Sequence, residues 1–410
     1  AEVFVFSPKE KTLGVSRFED GRLTFPQALP TTEEPAAFEL ADLDGDGSLE
    51  IVYISRQREG RSSAYALRAL KRNGEDWQPV TFAQTETTDE TTDDEKTAPE
   101  HVPLALSGTP ERMLRLDANA DGRPDFLVFA GAGRPPQLVT TGEGGRAQLV
   151  ETRGGIQLGE AEAGAVFTTG DDEPSVLVAQ QNFARRLRLD DNLRWAVLDQ
   201  YNAPGSGAEI VGAATLDLDG QAGDEIVLVD TGIQKLRILR EEENLFRPWK
   251  EVETGDFPYQ QTQVADLNGD GRDDLVLIGR NQFAVLYAGR TDPSLKETAS
   301  FETKLEDTHF ADLAAGDLNA DGRTDVVLLD TQSHMIEILD FTSQHGLRHA
   351  LHFKLFEAKS FAGGDSAGTE PREAAIADVT GDGRSDLVLL THDRVLVYPQ
   401  DAGDPATASQ

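Results

Sequence analysis

Apolar residues along this chain fall into short runs of four to six, bounded by turn residues, and no window sustains a helical period of 3.6. Five of these runs follow directly on an acidic stretch of fixed spacing, Asp-x-[Asp/Asn/Thr]-x-Asp-Gly-x-x-[Asp/Glu]. The pattern reads DLDGDGSLEIVYI from Asp42, DANADGRPDFLVF from Asp117 and DLNGDGRDDLVLI from Asp266. It recurs as DLNADGRTDVVLL from Asp317 and DVTGDGRSDLVLL from Asp378. A weaker copy, DLDGQAGDEIVLV, starts at Asp217, with Gln221 at its fifth position and Ala222 where glycine belongs. The starts lie 75, 100, 49, 51 and 61 residues apart, a repeat of about 50 residues once the longest gap is read as two periods. The middle of that gap holds a degenerate copy, AVFTTGDDEPSVLVA at 165–179, which keeps the apolar strand without the ordered acids. The first gap is one period plus TETTDETTDDEKTAPE at 85–100, an acidic insertion with few apolar residues, expected to be a mobile loop.

Each unit reads as four short strands. A small-residue strand leads into the acidic loop, the apolar run follows it, and a third strand alternates, as in KLRILR, FAVLYA, MIEILD and RVLVYP. A fourth, often aromatic, closes the unit (DWQPVTF, LRWAVLD, LFRPWKEV, LHFKLF). Four strands in every 40–50 residues, roughly, is the pattern of a β-propeller blade. The expected fold is all-β: a single β-propeller domain over 1–410 with seven blades of four antiparallel strands. Eight is the alternative, because apolar second strands number eight while loop-bearing units number seven. The N-terminal stretch (EVFVFS, TLGVSRF, GRLTFPQAL) resembles the later strands of a blade, and the C-terminal stretch lacks a fourth strand. The ring is therefore expected to be closed by the N-terminal segment, which would remove open sheet edges.

Charge changes the picture next. Basic residues number 38 against 73 acidic ones, a net charge of −35. That balance excludes nucleic-acid binding through phosphate neutralisation and a polybasic membrane-surface role. No apolar run approaches the length of a spanning helix. There is no cysteine, hence no disulfide, thiolate nucleophile or Cys-based zinc site. The chain opens Ala-Glu-Val rather than with Met, which fits a mature form after signal-peptide removal, though a shortened recombinant chain would open the same way.

Carboxylates at positions 1, 3, 5 and 9 of a tight loop converge on one point. The position-7 carbonyl adds an oxygen and a glycine at position 6 permits the turn, as a hard cation requires. Without a cation the same groups repel, by roughly 1 kcal/mol for a pair about 4 Å apart in water and about 4 at an effective dielectric near 20. An all-oxygen donor set favours calcium over zinc or copper, and room for six or seven ligands favours it over magnesium. An EF-hand is excluded because its twelfth residue is a bidentate Glu that opens a helix. Here position 12 is Tyr53, Val128, Leu277, Leu328 or Leu389, mid-strand.

These motifs resemble the FG-GAP/VCBS repeat family, and nearly the whole chain resembles its integrin-α-like β-propellers. The resemblance implies a calcium loop between the first two strands of a blade. The implied ligands are Asp42, Asp44, Asp46, Ser48 (carbonyl) and Glu50, then Asp117, Asn119, Asp121, Arg123 (carbonyl) and Asp125. The later loops contribute Asp266, Asn268, Asp270, Arg272 (carbonyl) and Asp274, then Asp317, Asn319, Asp321, Arg323 (carbonyl) and Asp325. The last contributes Asp378, Thr380, Asp382, Arg384 (carbonyl) and Asp386. Five Ca2+ sites are expected, with a sixth, weak one at Asp217, Asp219 and Glu225; the 165–179 copy is expected to be metal-free.

Other candidates carry less. His345, His349 and His352 flank strand-like alternation that does not put them on one face, and a solvated strand edge accounts for them. Trp77, Trp195 and Trp249 share one phase of the repeat and are expected to pack between blades. No Gly-x-Ser-x-Gly elbow, His-Glu-x-x-His helix or phosphate-binding glycine loop occurs, and no catalytic residues are assigned. The expectation is a secreted, surface or periplasmic bacterial calcium-binding propeller. It would act as a non-enzymatic binding, adhesion or scaffold module, monomeric, for a protein or glycan partner. The alternative is a polysaccharide lyase or hydrolase on the same scaffold.

Overall fold

The computed structural model describes residues 2–7, 9–74, 76–80, 82, 103–130, 134, 136–150, 166–168, 175–180, 182–221, 223–243, 245–289, 300–305, 308–342, 346–356, 370–371, 373–391 and 394–400. The acidic insertion at 85–100 lies outside them. So do residues 165 and 169–174 of the degenerate copy, Ala222 and His345. Among the described residues every regular element is a strand except one 3-10 turn at Glu143–Gly145.

Among the described residues the strands form eight sheets, the alternative count, rather than seven. The first sheet (Glu2–Ser7, Thr12–Glu19, Arg22–Leu23, Gln27–Ala28) has no acidic hairpin, and for that reason a count of hairpins misses it. The second runs Glu34–Ala41, Glu50–Glu59, Ser62–Asn73 and Asp76–Val80, with Leu104–Leu106 added beside the third strand. The third runs Pro110–Leu116, Asp125–Ala130, Gln137–Gly142 and Arg146–Leu149. The fourth is Val166–Thr168, Val176–Gln180, Phe183–Leu189 and Trp195–Asn202. The fifth is Ile210–Leu216, Glu225–Asp230, Lys235–Glu242 and Leu245–Glu253. The sixth is Tyr259–Ala265, Asp274–Gly279, Gln282–Leu286 and Ser300–Glu302. The seventh is Phe310–Gly316, Asp325–Asp330, Met335–Thr342 and Gly346–Lys354. The eighth is Glu373–Ala377, Asp386–Thr391 and Arg394–Tyr398.

Within each sheet from the second to the eighth, consecutive strands pair antiparallel in chain order, the up-and-down arrangement of a propeller blade. The N-terminal strand pairs with Thr12–Glu19 in a sheet of its own, and the eighth sheet has three strands among the described residues. A complete hairpin at the N-terminus gives the first strand a local partner, so it has no need of the last sheet.

The chain divides into two compact units. One comprises Phe4–Val15 and Pro26–Ser206; the other comprises Ala1–Val3, Ser16–Phe25 and Gly207–Gln410. In both, the second strand of each sheet explains the packing. Asp125–Ala130, Glu225–Asp230, Asp274–Gly279 and Asp325–Asp330 are buried at every position. A strand covered on both faces reads as a continuous apolar run, and its alternate residues serve different neighbours. Phe126 and Val128 join a cluster with Val52, Ile54 and Leu67 of the second sheet. Leu127 and Phe129 join one with Val176, Leu187 and Trp195 of the fourth. In the other unit Leu275 and Leu277 pack with Val227 and Val229, while Val276 and Ile278 pack with Val326 and Leu328. Val327 and Leu329 complete the series with Leu387 and Leu389. Each fully buried side chain of this kind stabilises the fold by about 1.5–3 kcal/mol.

All three tryptophans lie in fourth strands, as the repeat phase predicts. Trp195 is in the apolar cluster just named, and Trp77 meets Phe4 edge-on at 5.8 Å. Trp249 lies beneath the Arg240 guanidinium, 5.0 Å from the ring centre.

Candidate metal centres

All six ordered acidic stretches form the hairpin between the first and second strands of a sheet: the second, third, fifth, sixth, seventh and eighth. Their internal geometry repeats. The first Asp accepts main-chain N–H bonds from the following turn. Asp266 Oδ1 receives Gly269 N at 2.7 Å and Asp270 N at 3.1 Å, while Oδ2 receives Gly271 N at 2.8 Å. Asp42 and Asp378 do the same with Gly45, Asp46 and Gly47 and with Gly381, Asp382 and Gly383. Asp117 and Asp317 are capped by the residues at positions 5 and 6. Asp217 receives Gly220 N at 2.6 Å. The fifth residue then accepts the N–H of the seventh: Ser48 to Asp46, Arg123 to Asp121, Arg272 to Asp270, Arg323 to Asp321 and Arg384 to Asp382, at 2.8–3.0 Å.

The turn needs left-handed backbone twice. Position 6 is glycine with φ of 77–85° in the five ordered copies, as the spacing implies. Position 4 is also left-handed, and there the residue is glycine in four hairpins but Ala120 (φ 60°) and Ala320 (φ 57°) in two. An alanine held there costs about 1–2 kcal/mol, so the surrounding hydrogen bonds over-determine the turn. The two alanines hid this requirement from the sequence reading.

Position 9 is where hairpin and fold meet. Glu50, Asp125, Glu225, Asp274, Asp325 and Asp386 are each at most 4% exposed. Each accepts the N–H of position 2: Leu43, Ala118, Leu218, Leu267, Leu318 and Val379, at 2.8–3.1 Å. In three hairpins the other oxygen ties down the end of the third strand. Thr141 N donates to Asp125, Ala288 N to Asp274 and Gln400 N to Asp386, at 2.8–3.0 Å.

Burial pushes the carboxyls of Asp125, Glu225, Asp274 and Asp325 up against the pull of their N–H bonds. Asp125 and Glu225 rise to about 7, and Asp274 and Asp325 to about 6, with neighbouring acids of the same hairpin adding to the rise. Between the ordinary carboxylate range and pH of about 7, the folded chain holds protons that the unfolded chain has released. The associated stability is present at low pH and is lost as pH rises through about 6 to 7. In chelator, the melting temperature should therefore fall between about pH 5 and pH 8, and excess calcium should suppress that fall. A flat profile in chelator would contradict burial as the cause.

The donor set fits a hard divalent cation. Every side-chain ligand offered is oxygen, and Thr380, at position 3 of the last hairpin, keeps a buried Oγ1 with no hydrogen-bond partner. Among the described residues, two sets of three acids bring ligand oxygens within 4.8 Å of one another: Asp42, Asp44 and Glu50, and Asp217, Asp219 and Glu225. A basic side chain lies against each. Lys71 Nζ is 2.5 Å from Asp44 Oδ2, 2.7 Å from Asp46 Oδ2 and 3.2 Å from Glu50 Oε1. Arg240 Nη1 is 3.5 Å from Asp219 Oδ2. Neither basic residue was singled out in the sequence, because each lies on the third strand, outside the acidic motif.

The histidines differ from expectation in one respect. Opposite Ile338 and Leu339 a bulge inserts an extra residue into Gly346–Lys354, and His349 Nε2 comes within 2.9 Å of His352 Nδ1. Their spacing alone would set them on opposite faces, and the bulge puts them together. Both are exposed, as expected of a strand edge.

Among the described residues no helix is long and apolar enough to cross a membrane. Residues 266–328 match the FG-GAP-like repeat family, a span that takes in the hairpins at Asp266 and Asp317. No curated protein matches the chain. Similar solved structures include a Lactobacillus plantarum protein at 13% identity, TM-score 0.48, covering 86% of this chain and 94% of that one. Another is an Agrocybe aegerita lectin that recognises non-reducing terminal N-acetylglucosamine, at 15% identity, TM-score 0.49, covering 82% and 86%. Residues 266–328 are thus similar to FG-GAP-like repeats, and they lie among up-and-down antiparallel sheets of the β-propeller type.

Proposed function

We propose that the chain is an exported, calcium-binding propeller that serves as a non-enzymatic binding or scaffold module for a protein or glycan partner, with calcium in a structural role. The observation that carries this reading is the ninth-position acid, whose buried carboxylate is bonded to the main chain of its own hairpin in all six copies. A ligand built into the strand it opens serves to hold backbone, not to meet a substrate. Calcium, when bound, would neutralise the clustered carboxylates and fix the hairpin. The chain's own residues do the rest: position 1 organises the turn through its N–H bonds and position 9 anchors the second strand. Sites of ordinary extracellular affinity fill outside the cell and stay empty in the cytosol, and on that argument we place the protein outside the cytoplasm.

The test is a screen of glycans and candidate proteins against the immobilised full chain, in millimolar calcium and again in chelator. Capture of a defined partner that is lost in chelator is the expected result. Turnover of a polysaccharide by the calcium-loaded chain would overturn the non-enzymatic reading.

A further inference from the structure

Six hairpins share one design, yet the residue facing position 9 across the sheet varies in a way that tracks position 3. Ile51 pairs with Leu70, so Glu50 faces Lys71; Ile226 pairs with Leu239, so Glu225 faces Arg240. Elsewhere the facing residue is not basic. Asp125 faces Thr140, Asp274 faces Tyr287 and Asp386 faces Pro399, each one step along from a registered pair. Asp325 pairs with Asp340 directly. Position 3 is aspartate only where the facing residue is basic: Asp44 opposite Lys71 and Asp219 opposite Arg240. In the other four hairpins it is Asn119, Asn268, Asn319 or Thr380.

The contacts explain the pairing. Lys71 Nζ touches three carboxylates of its hairpin, with Asp44 at 2.5 Å, and its third neighbour is the buried Glu50 Oε1. Arg240 meets its hairpin at the same position, Asp219 Oδ2. In three of the other hairpins the nearby cations are position-7 arginines, each reaching one position-5 carboxylate at the exposed rim: Arg123, Arg323 and Arg384. None of these enters between position 3 and position 9.

We infer that the facing residue selects which hairpins take an ion. Lys71 and Arg240 are built-in cations matched by an added aspartate at position 3. The hairpins at Asp117, Asp266, Asp317 and Asp378 have no such cation and take the divalent ions. The inference rests on the calcium reading above and narrows it: the hairpin at Asp42, the richest in acid, is self-neutralised. A divalent ion entering there must displace an ammonium already paired with three carboxylates, which a surface pair alone would not resist.

Equilibrium dialysis of calcium against the full chain, backed by terbium luminescence, counts the ions. The wild type should bind four. Lys71→Thr combined with Asp44→Asn gives the first hairpin the residues of the others and should raise the count to five. Asn319→Asp combined with Asp340→Lys does the reverse and should lower it to three, and this pair stands if the first variant fails to fold. Five or six ions in the wild type, unchanged in both variants, would overturn the selection while leaving the calcium reading intact. No ion bound by any of the three proteins would overturn both.

Discussion

Asp274→Leu should lower stability to urea by at least about 2 kcal/mol in chelator as well as in calcium. Asp274 is fully buried, and its two oxygens accept Leu267 N at 3.1 Å and Ala288 N at 2.9 Å. Leucine fills the space but leaves two buried donors without partners, each costing about 1–3 kcal/mol. Part of that loss is offset because an ionised buried carboxylate is no longer required. Asp270→Asn should behave differently. Its carboxylate lies at the exposed tip, so in chelator the change should be within about 0.5 kcal/mol, and the loss should emerge only in calcium. Equal behaviour of the two variants in chelator would show that position 9 is a metal ligand and nothing more.

Chelation should lower the melting temperature of the wild-type chain near neutral pH by about 8–16 °C. An ion present at ten times its dissociation constant stabilises the folded state by about 1.4 kcal/mol per site. Three of the four hairpins without a facing basic residue, at Asp266, Asp317 and Asp378, fall within the unit that includes Gly207–Gln410, for about 4 kcal/mol together. For a unit of that size each kcal/mol moves the melting point by about 2–4 °C. Calorimetry in excess calcium and in chelator measures the difference directly, and magnesium should restore little of it because it demands a tighter octahedral cage. A melting point that ignores both ions would remove calcium from the account of this protein.

The repeat was open to reading because its chemistry is written in side chains at fixed spacing. Acids alternate through the hairpin, glycine stands at position 6, and an apolar run follows in which both faces are buried. What stayed hidden depends on backbone or on distant pairing. Ala120 and Ala320 occupy left-handed positions that composition assigns to glycine. The first sheet lacks an acidic hairpin, so hairpins alone give seven blades while the apolar second strands give the eight observed. A one-residue bulge joins His349 to His352 against the alternation of their strand. Lys71 and Arg240 stand 21–27 residues beyond the acids they neutralise, at a distance fixed by strand length and register rather than by any motif.

The strand that opens with the ninth-position acid is a party wall. Leu275 and Leu277 face one apolar cluster while Val276 and Ile278 face the next, all within a few residues of Asp274. A hairpin that frays would unseat that wall for the tenants on both sides at once. Damage at one acidic tip should therefore travel sideways through neighbouring sheets, and the molecule should come apart in groups of blades rather than one blade at a time.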